Sequence, residues 1–350
     1  MVEKLDRKKL EEHRISTEKE IEIRKGAENS EDNRYHILVC GGTACESNKS
    51  EEIVRLLKEH AEKNGIGDKV LVIKTGCFGF CSQGPVVKII PGRVFYTHVQ
   101  PENAKEIIEQ HVMQGKLVLK ILYKEQREHR DFTKEINFYE KQKRVVLKNC
   151  GMIDPENIDE YIGNDGYKAL SKVLFDMKPK DVIKELEISG LRGRGGAGFP
   201  TWKKWSFAEG IEAKQKYMVC NADEGDPGAY MDRSILEGDP HAVIEAMAIG
   251  GYAIGASKGY MYIRAEYGLA VERVKIALKQ AYDYGLLGKN ILGSNFSFDL
   301  DIRLGAGAFV CGEETALLAS IEGSRGTPRP RPPFPVVKGL FGCPTVINNV

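Results

Sequence analysis

Two runs of sequence decide the fold of the N-terminal part of this chain: Cys40-Gly-Gly-Thr-Ala-Cys45 and Cys77-Phe-Gly-Phe-Cys81. A short apolar segment that predicts a strand precedes each run, His36–Cys40 before the first and Lys69–Lys74 before the second. A segment with helical periodicity separates the two strands. Because loops that follow neighbouring strands meet at one edge of a sheet, we expect the four thiols to converge.

Working outward from these runs, the pattern predicts a small domain over residues 35–115. Two more short strands, Val86–Ile90 and Val94–Val99, follow the second run, and a helix opens at Pro101. The predicted order is β-α-β-β-β-α.

Highly charged segments flank this domain on both sides. Residues 1–34 form a predicted N-terminal extension that ends in the polar run Glu28–Asn33, either a solvated helix and linker or a docking arm for a partner subunit. Residues 116–150 form a predicted surface connector.

Four thiols in two pairs suit two kinds of metal site. A two-iron cluster needs two thiolates per iron, and the glycines beside each pair let backbone amides approach the sulfurs. Phe78 and Phe80 could shield such a centre from water. Zinc takes four thiolates equally well, and unrelated buried thiols are a third reading. The spacing alone leaves these alternatives open.

The cysteine runs, with the flanking Lys74–Pro85, resemble those of the thioredoxin-like [2Fe–2S] ferredoxins, including the small cluster subunit of respiratory complex I. The resemblance covers residues 35–115. It implies that Cys40, Cys45, Cys77 and Cys81 ligate a [2Fe–2S] cluster.

The rest of the chain, residues 151–350, alternates helical and strand segments. This order predicts a mainly parallel α/β sheet, here a Rossmann-like domain. The predicted strands are Lys216–Cys220, Tyr260–Arg264 and Phe296–Arg303. No further element is predicted after the proline-rich loop Pro328–Pro335, so we expect the chain to be truncated at its C-terminus.

A glycine-dense loop and three polar clusters are the candidate ligand site of this second domain. Gly193-x-Gly195-x-x-Gly198 formally matches a dinucleotide fingerprint, but a predicted helix precedes it, so alone it is weak. Such a loop can still turn its N–H groups toward a phosphate, or it can be a plain surface loop. The clusters Asn221–Asp226, Gly312–Glu314 and Asn348-Asn349 lie at expected strand or helix ends, where they are either turn and cap residues or ligand contacts.

The stretch from about 131 to 350 resembles the NADH-binding flavin subunit of complex I and the diaphorase subunits of NAD(P)-linked hydrogenases and formate dehydrogenases. The motifs that carry the resemblance are Gly190–Pro200, Cys220–Glu224, Cys311–Ala316 and Pro344–Asn349. The resemblance implies an FMN site formed by Gly193, Arg194, Gly195, Gly196, Gly198, Lys204, Asn221, Asp223, Gly312, Glu313, Asn348 and Asn349. It implies that NAD(H) or NADP(H) contacts Phe199, Phe207, Asp226, Glu314, Arg331 and Phe334.

The chain departs from the family's pattern at two positions. Phe309 stands where the family usually has tyrosine, so a hydroxyl contact to the flavin is either lost or supplied by another group. Asp226 is shorter than the glutamate of many complex I subunits, which puts nucleotide affinity or preference in doubt. The family's C-x2-C-x2-C motif for a [4Fe–4S] cluster would lie only beyond residue 350. Cys150, Cys220, Cys311 and Cys343 lack paired spacing and are interpreted as buried or incidental thiols.

Composition excludes several classes of protein. The 51 basic and 50 acidic side chains nearly cancel, which argues against nucleic acid as a partner, and no stretch of sequence is apolar enough to predict a membrane span. The charged N-terminus lacks the apolar core of a signal peptide, so we expect a cytoplasmic protein, in which eight cysteines indicate metal ligands or catalytic thiols in preference to disulfides.

The fusion of the two modules resembles the diaphorase subunit of multimeric, electron-bifurcating iron-only hydrogenases. It implies an NAD(P)H:acceptor oxidoreductase without a catalytic side chain. It also implies a hetero-oligomer with a hydrogenase or dehydrogenase catalytic subunit and a small [2Fe–2S] subunit, ferredoxin being a further candidate partner. The alternatives are a diaphorase of soluble formate dehydrogenase, a complex I-type subunit, a non-enzymatic electron relay or scaffold, and a zinc-stabilised interaction module.

Overall fold

The structure is a computed structural model that describes residues 3–26, 32–130, 132 and 136–350. It divides into two compact units. The cysteine-pair unit comprises Arg14–Asn164 and Glu237–Asp239, and the glycine-loop unit comprises Met1–His13, Asp165–Leu236 and Pro240–Val350. Most of the polar run Glu28–Asn33 lies outside the described residues.

The cysteine-pair unit is built on a four-stranded sheet with the order β2-β1-β3-β4. Strand β1 is parallel to β2 and antiparallel to β3, and β3 is antiparallel to β4. The predicted β-α-β-β-β-α order is therefore confirmed. The strands are β1 (Tyr35–Cys40), β2 (Val70–Thr75), β3 (Val87–Ile90) and β4 (Val94–Tyr96).

Helix α3 (Ser50–Lys63) packs against one face of this sheet. Its buried residues Ile53, Leu57 and Ala61 recur every four positions, which places them on one stripe of the helix. The helices of the N-terminal region are α1 (Arg7–Ile21), α2 (Thr43–Glu46), α3 (Ser50–Lys63), α4 (Asn103–Glu106), continued by a π-helical turn over Ile107–Val112, α5 (Lys124–His129), α6 (Asn137–Glu140) and α7 (Ile158–Gly163).

The two faces of the sheet enter two different cores, because side chains alternate along a strand. Ile37 and Val39 of β1 join the core that includes α3. Leu38 and Cys40 join a second core with Cys45 and Phe78, against which Phe138 and Tyr139 of α6 pack. The predicted connector 116–150 therefore contributes to the cysteine-pair unit, as does α7, although the predicted second domain starts at residue 151.

The glycine-loop unit contains a four-stranded sheet with the order β7-β6-β5-β8, in which every strand pair is parallel. This confirms the predicted parallel α/β sheet. One expectation was wrong: a strand, β8, follows the proline-rich loop and pairs with β5, so its stability comes from a partner distant in sequence. The strands are β5 (Tyr217–Ala222), β6 (Lys258–Arg264), β7 (Asp299–Gly305) and β8 (Thr345–Asn349).

Helix α12 is the central helix of this unit. Eleven of its fifteen residues are buried, so it packs as a core helix without a polar face. The helices of this part of the chain are α8 (Lys168–Asp176), α9 (Pro179–Ser189), α10 (Thr201–Glu209), α11 (Met231–Gly238), α12 (Pro240–Ile254), α13 (Gly268–Asp283), α14 (Glu314–Ile321) and α15 (Pro335–Lys338). In the part of the chain that the structure describes, no helix combines the length and apolar character that crossing a membrane requires.

Candidate functional site

The four paired cysteines lie together in the cysteine-pair unit, at the ends of β1 and β2. Cys40 ends β1, Cys45 lies in α2, and Cys77 and Cys81 follow β2. Hydrogen bonding with Cys45 raises the pKa of the Cys40 thiol to about 12, and hydrogen bonding with Cys40 raises the pKa of Cys77. The side chain of Cys77 also interacts with Cys81. The structure therefore links the four thiols by pairwise contacts, although no three side chains among the described residues are arranged around a single metal ion.

Two glycines allow the cysteine loops to approach each other this closely. A Cβ atom at Gly42 would lie 2.9 Å from the Cβ of Cys77, and one at Gly84 would lie 2.8 Å from the sulfur of Cys45. Both distances are shorter than real Cβ contacts. Glycine is therefore required at these positions by packing.

The donor set fits an iron–sulfur cluster. Two pairs of thiols, each pair in its own loop, match the two thiolates per iron that a [2Fe–2S] cluster requires. A backbone amide already points at one of the sulfurs, because the Gly79 N–H donates to the Sγ of Cys77 at 3.3 Å. Amide donors of this kind offset the negative charge of a cluster.

A pocket of about 540 Å³ lies in the glycine-loop unit. It is lined by residues that the sequence analysis assigned to FMN, namely Gly193, Gly195, Gly198, Lys204, Asn221, Gly312, Glu313, Asn348 and Asn349. It is also lined by residues assigned to the nucleotide, namely Phe199, Phe207, Glu314, Arg331 and Phe334.

Strand register explains why distant polar residues meet at this pocket. Strands β5 and β8 are parallel neighbours, and Asn221 lies opposite Asn349 at their carboxyl ends. Ligand sites of open α/β sheets form at this edge. The glycine loop is held there too, because the Arg194 N–H donates to the Oδ1 of Asn349 at 3.0 Å.

Helix α10 closes one side of the pocket. The ammonium of Lys204 donates to the Ile347 carbonyl at 2.9 Å, and the indole N–H of Trp205 donates to the Oδ1 of Asn348 at 3.0 Å. Burial lowers the pKa of Lys204. The result is a cationic group held by β8 at the pocket wall.

The acidic residues at the pocket have different roles. Burial opposes ionisation of Glu313, but hydrogen bonds from Thr315 and Ala316 outweigh it and lower the pKa of this carboxyl, which caps α14. Glu314 pairs with Arg331, so the carboxylate and guanidinium proposed for the nucleotide contact each other.

Asp223 is the acidic residue most suited to a ligand. Both of its carboxylate oxygens are buried without a hydrogen-bond partner among the described residues. Burial raises its pKa. A Cβ atom at the pocket residue Gly312 would lie 3.5 Å from its Oδ2, so the carboxylate is adjacent to the pocket wall. Hydroxyl groups of a bound ligand would satisfy these oxygens, which is an observation in favour of a polyhydroxylated cofactor.

Four assigned residues are not part of the pocket wall: Arg194, Gly196, Asp223 and Asp226. Asp226 is exposed, and Gly196 has open space where a Cβ would project. The pocket wall also contains five residues that were not predicted from the sequence: Ala197, Pro335, Val336, Thr345 and Ile347. Thr345 and Ile347 lie in β8, where β-branched residues favour a strand, but only the pairing with β5 places them at the pocket.

The other four cysteines do not form a second group among the described residues. Cys150, Cys220 and Cys311 are buried and Cys343 is half-buried. Burial raises the pKa of Cys150 to about 12, so this thiol stays protonated at neutral pH. These observations agree with their interpretation as structural thiols.

Two regions of the chain match known protein families. Residues 28–112 match the thioredoxin-like [2Fe–2S] ferredoxin family, and residues 186–350 match the Nuo51 FMN-binding domain. The chain joins a [2Fe–2S] ferredoxin domain to an FMN-binding domain. The fold class and the cofactors FMN and [2Fe–2S] expected from the sequence are thereby confirmed.

Relatives of known name each match more than half of this chain. The NADP-reducing hydrogenase subunit HndC of Solidesulfovibrio fructosivorans is 62% identical over 210 residues, which are 60% of this chain and 42% of the relative. An NADH-quinone oxidoreductase subunit of Rhizobium meliloti (strain 1021) is 51% identical over 206 residues, 59% of this chain and 49% of the relative. An NADH-quinone oxidoreductase subunit of Aquifex aeolicus (strain VF5) is 51% identical over 206 residues, 59% and 48% respectively. The aligned part thus spans about half the length of these relatives.

Proposed function

We propose that this chain is the diaphorase module of a multi-subunit hydrogenase, which exchanges electrons between NAD(P)H and iron–sulfur clusters through FMN. The observation that carries the proposal is the pocket of the FMN-binding domain, where a glycine loop, a cation, amides and aromatic side chains converge. FMN would supply chemistry that neither NAD(P)H nor an iron–sulfur cluster has, because it accepts two electrons as hydride and releases them singly to iron–sulfur centres.

The pocket residues would bind and orient the two ligands. The open backbone at Gly195 and Gly198 leaves room for a flat ring or a phosphate, because no atom lies within 4 Å of where a Cβ would be. Lys204 offers a positive charge, and Asp223 offers two acceptors for ligand hydroxyls. We assign the remaining FMN contacts to Arg194, Gly196, Asn221, Gly312, Glu313 and the pair Asn348-Asn349.

The nicotinamide nucleotide is proposed to enter over the aromatic side of the pocket. Phe199 is 42% exposed and Phe334 is 53% exposed, although both line the pocket. Large exposed rings at a cavity are available for stacking on a planar ligand. Phe207, Glu314 and Arg331 complete this side, and Asp226 is assigned to the nucleotide from the family resemblance. The protein's contribution to hydride transfer is to orient the two rings and exclude water, without a side-chain base.

The relatives support the choice among assemblies. One of them is named as a subunit of an NADP-reducing hydrogenase, and two are named as NADH-quinone oxidoreductase subunits. We propose a hetero-oligomer with a hydrogenase catalytic subunit and a small [2Fe–2S] subunit, with ferredoxin as a further partner if electron bifurcation occurs. A complex I-type dehydrogenase is the second candidate. A cytoplasmic location is proposed because the cluster thiols must stay reduced until iron is inserted.

The test uses the purified chain. We expect bound FMN, two irons and two sulfides per chain, and bleaching of flavin absorbance on addition of NADH or NADPH. Comparing the two nucleotides decides the preferred one. Stoichiometric FMN without bleaching by either nucleotide would favour a relay or scaffold, and zinc without sulfide would favour the zinc-stabilised module.

A further inference from the structure

The second cysteine loop is covered by a segment that lies outside the matched ferredoxin family. That match ends at residue 112, whereas Phe138 and Tyr139 belong to α6 in the connector. The ring of Phe138 stacks on Phe80, with ring centroids 4.5 Å apart and an angle of 18° between planes. The connector therefore contacts the loop Cys77–Cys81 directly.

The hydroxyl of Tyr139 forms a hydrogen bond with this loop. It donates to the Phe78 carbonyl at 2.8 Å. The N–H of the same peptide group belongs to Gly79, and it donates to the sulfur of Cys77 at 3.3 Å. In a trans peptide the C=O and N–H point in opposite directions, so fixing one end fixes the direction of the other.

One side of this peptide group is loosely restrained. Phe78 is buried, but Gly79 has φ of +76° and no atom lies within 4 Å of an ideal Cβ there, so no side chain restrains the peptide at the glycine. The tyrosine hydroxyl adds a restraint at the carbonyl. It also polarises the peptide, which makes the N–H a stronger donor.

The environment of Tyr139 strengthens the contact. The guanidinium of Arg144 lies 5.0 Å from the centroid of the tyrosine ring, a cation–π distance, and Arg144 also donates to the Cys150 carbonyl at 3.2 Å. Helix α6 is fixed at its start, because the Asn137 N–H donates to Glu125 at 3.0 Å. The ring and the helix that carry this hydroxyl are therefore each held by a further contact.

We propose that Tyr139 is a positioning residue for the two-iron site, whose hydroxyl keeps the Gly79 N–H directed at the Cys77 sulfur. This rests on the proposal that Cys77 ligates the cluster. Reduction adds negative charge to the cluster, and N–H donors to its sulfurs stabilise that charge. Tyr139 therefore raises the reduction potential of the cluster. The effect comes from a residue of the connector, outside the ferredoxin domain itself.

The experiment is an EPR-monitored redox titration of the full chain carrying FMN and cluster. Tyr139→Phe should retain iron, sulfide and FMN, and should disfavour cluster reduction about threefold, within the range of one net hydrogen bond. At 59 mV per tenfold for one electron, that is a shift of about 30 mV to more negative potential. The coupling of the cluster to an exchangeable proton, compared in H₂O and D₂O, should weaken in parallel.

Two control variants separate the hydrogen bond from other effects. Tyr252→Phe removes an equivalent bond, a tyrosine hydroxyl to the Met177 carbonyl at 2.8 Å in the glycine-loop unit, and should leave the potential unchanged. Phe138→Leu keeps the Tyr139 hydroxyl and an apolar cover over Phe80, and should shift the potential less than Tyr139→Phe.

Three results would overturn the proposal. These are an unchanged potential in Tyr139→Phe, an equal shift in Phe138→Leu, and loss of the cluster with FMN retained, since that loss means a structural role for Tyr139. A wild-type chain that binds no two-iron cluster would instead contradict the proposed function.

Discussion

The cysteine site and the flavin pocket are assembled in different ways. The four thiols come from two short loops, each following one strand of the cysteine-pair unit. The pocket draws on the glycine loop, on α10, on the ends of β5 and β8, and on the segment around Gly312. When two short loops supply all the ligands, the spacing of the ligands within each loop is visible in the sequence. When many segments supply the side chains, the site depends on how the whole sheet brings them together.

The two sites also differ in how their polar groups are satisfied. The thiols interact with one another and with a backbone amide, so the cysteine site is internally connected. Asp223 beside the pocket has both oxygens unpartnered among the described residues. The first site is therefore sensitive to the loss of any one ligand, while the second is sensitive to the shape and charge of its wall.

The largest effect is expected from removing one ligand of the connected site. Cys81→Ser should abolish the two-iron EPR signal, because a serine hydroxyl is far less acidic than a thiol and is a poor iron ligand. FMN content and NADH-dependent dye reduction should persist. Cys343→Ser is the matched control and should keep iron, sulfide and FMN. If Cys81→Ser loses FMN to the same extent as iron, the two sites are not independent.

The next largest effect is expected from straining the glycine loop. Gly196 has φ of +101°, which a β-branched residue adopts only at a cost of roughly 1–3 kcal/mol. Gly196→Val should therefore weaken FMN binding about tenfold or more, measured by flavin fluorescence. Gly323→Val imposes similar strain at φ of +82°, away from the glycine loop Gly193–Gly198, and should leave FMN affinity unchanged. Equal loss of FMN in both variants would mean that the glycine loop does not bind FMN.

A smaller effect with a distinctive pH dependence is expected at Asp223. Because burial raises its folded pKa, the folded state without FMN binds this proton more tightly than the unfolded state does, so stability falls as pH rises above about 4. Asp223→Asn should remove this pH dependence of the FMN-free chain, measured by denaturant unfolding at several pH values. FMN affinity should fall about tenfold, as expected for a lost hydrogen bond to a charged acceptor.

Asp232→Asn is the comparison for this prediction. Asp232 is also buried, with one oxygen unpartnered among the described residues, and burial raises its pKa to about 7. Neither carboxylate belongs to the pocket wall, but a Cβ atom at the pocket residue Gly312 would lie 3.5 Å from the Oδ2 of Asp223. This variant should flatten the stability profile between about pH 4 and pH 7 without changing FMN affinity. Unchanged FMN binding in Asp223→Asn would mean that its oxygens do not face the cofactor.

The smallest effects are expected at the aromatic side of the pocket. Phe199→Ala and Phe334→Ala should each weaken NAD(P)H binding by about 1 kcal/mol through lost stacking, with FMN content retained. Phe341→Ala provides a control, since this ring is equally exposed at 52% but does not line the pocket. Nucleotide titrations that do not distinguish the three variants would contradict the proposed stacking role.

The sequence by itself was sufficient for features that depend on local patterns. The paired spacing of Cys40–Cys45 and Cys77–Cys81 predicted a converging thiol group, and the strand and helix periodicities predicted both sheets. Polar runs at strand ends predicted a ligand site at one sheet edge. These signals are readable because alternation, capping and ligand spacing each involve residues a few positions apart.

Tertiary structure decided what depends on partners distant in the chain. Thr345 and Ile347 belong to a short β-branched run that favours a strand, but their place at the pocket depends on the pairing of β8 with β5. Whether the oxygens of Asp223 have hydrogen-bond partners depends on the residues packed around them, and among the described residues they have none. Likewise, Tyr139 reaches the Phe78 carbonyl across sixty-one positions of sequence, a contact that packing of α6 on the cysteine loop creates. Burial and long-range hydrogen bonding are properties of the folded chain, and no window of sequence contains them.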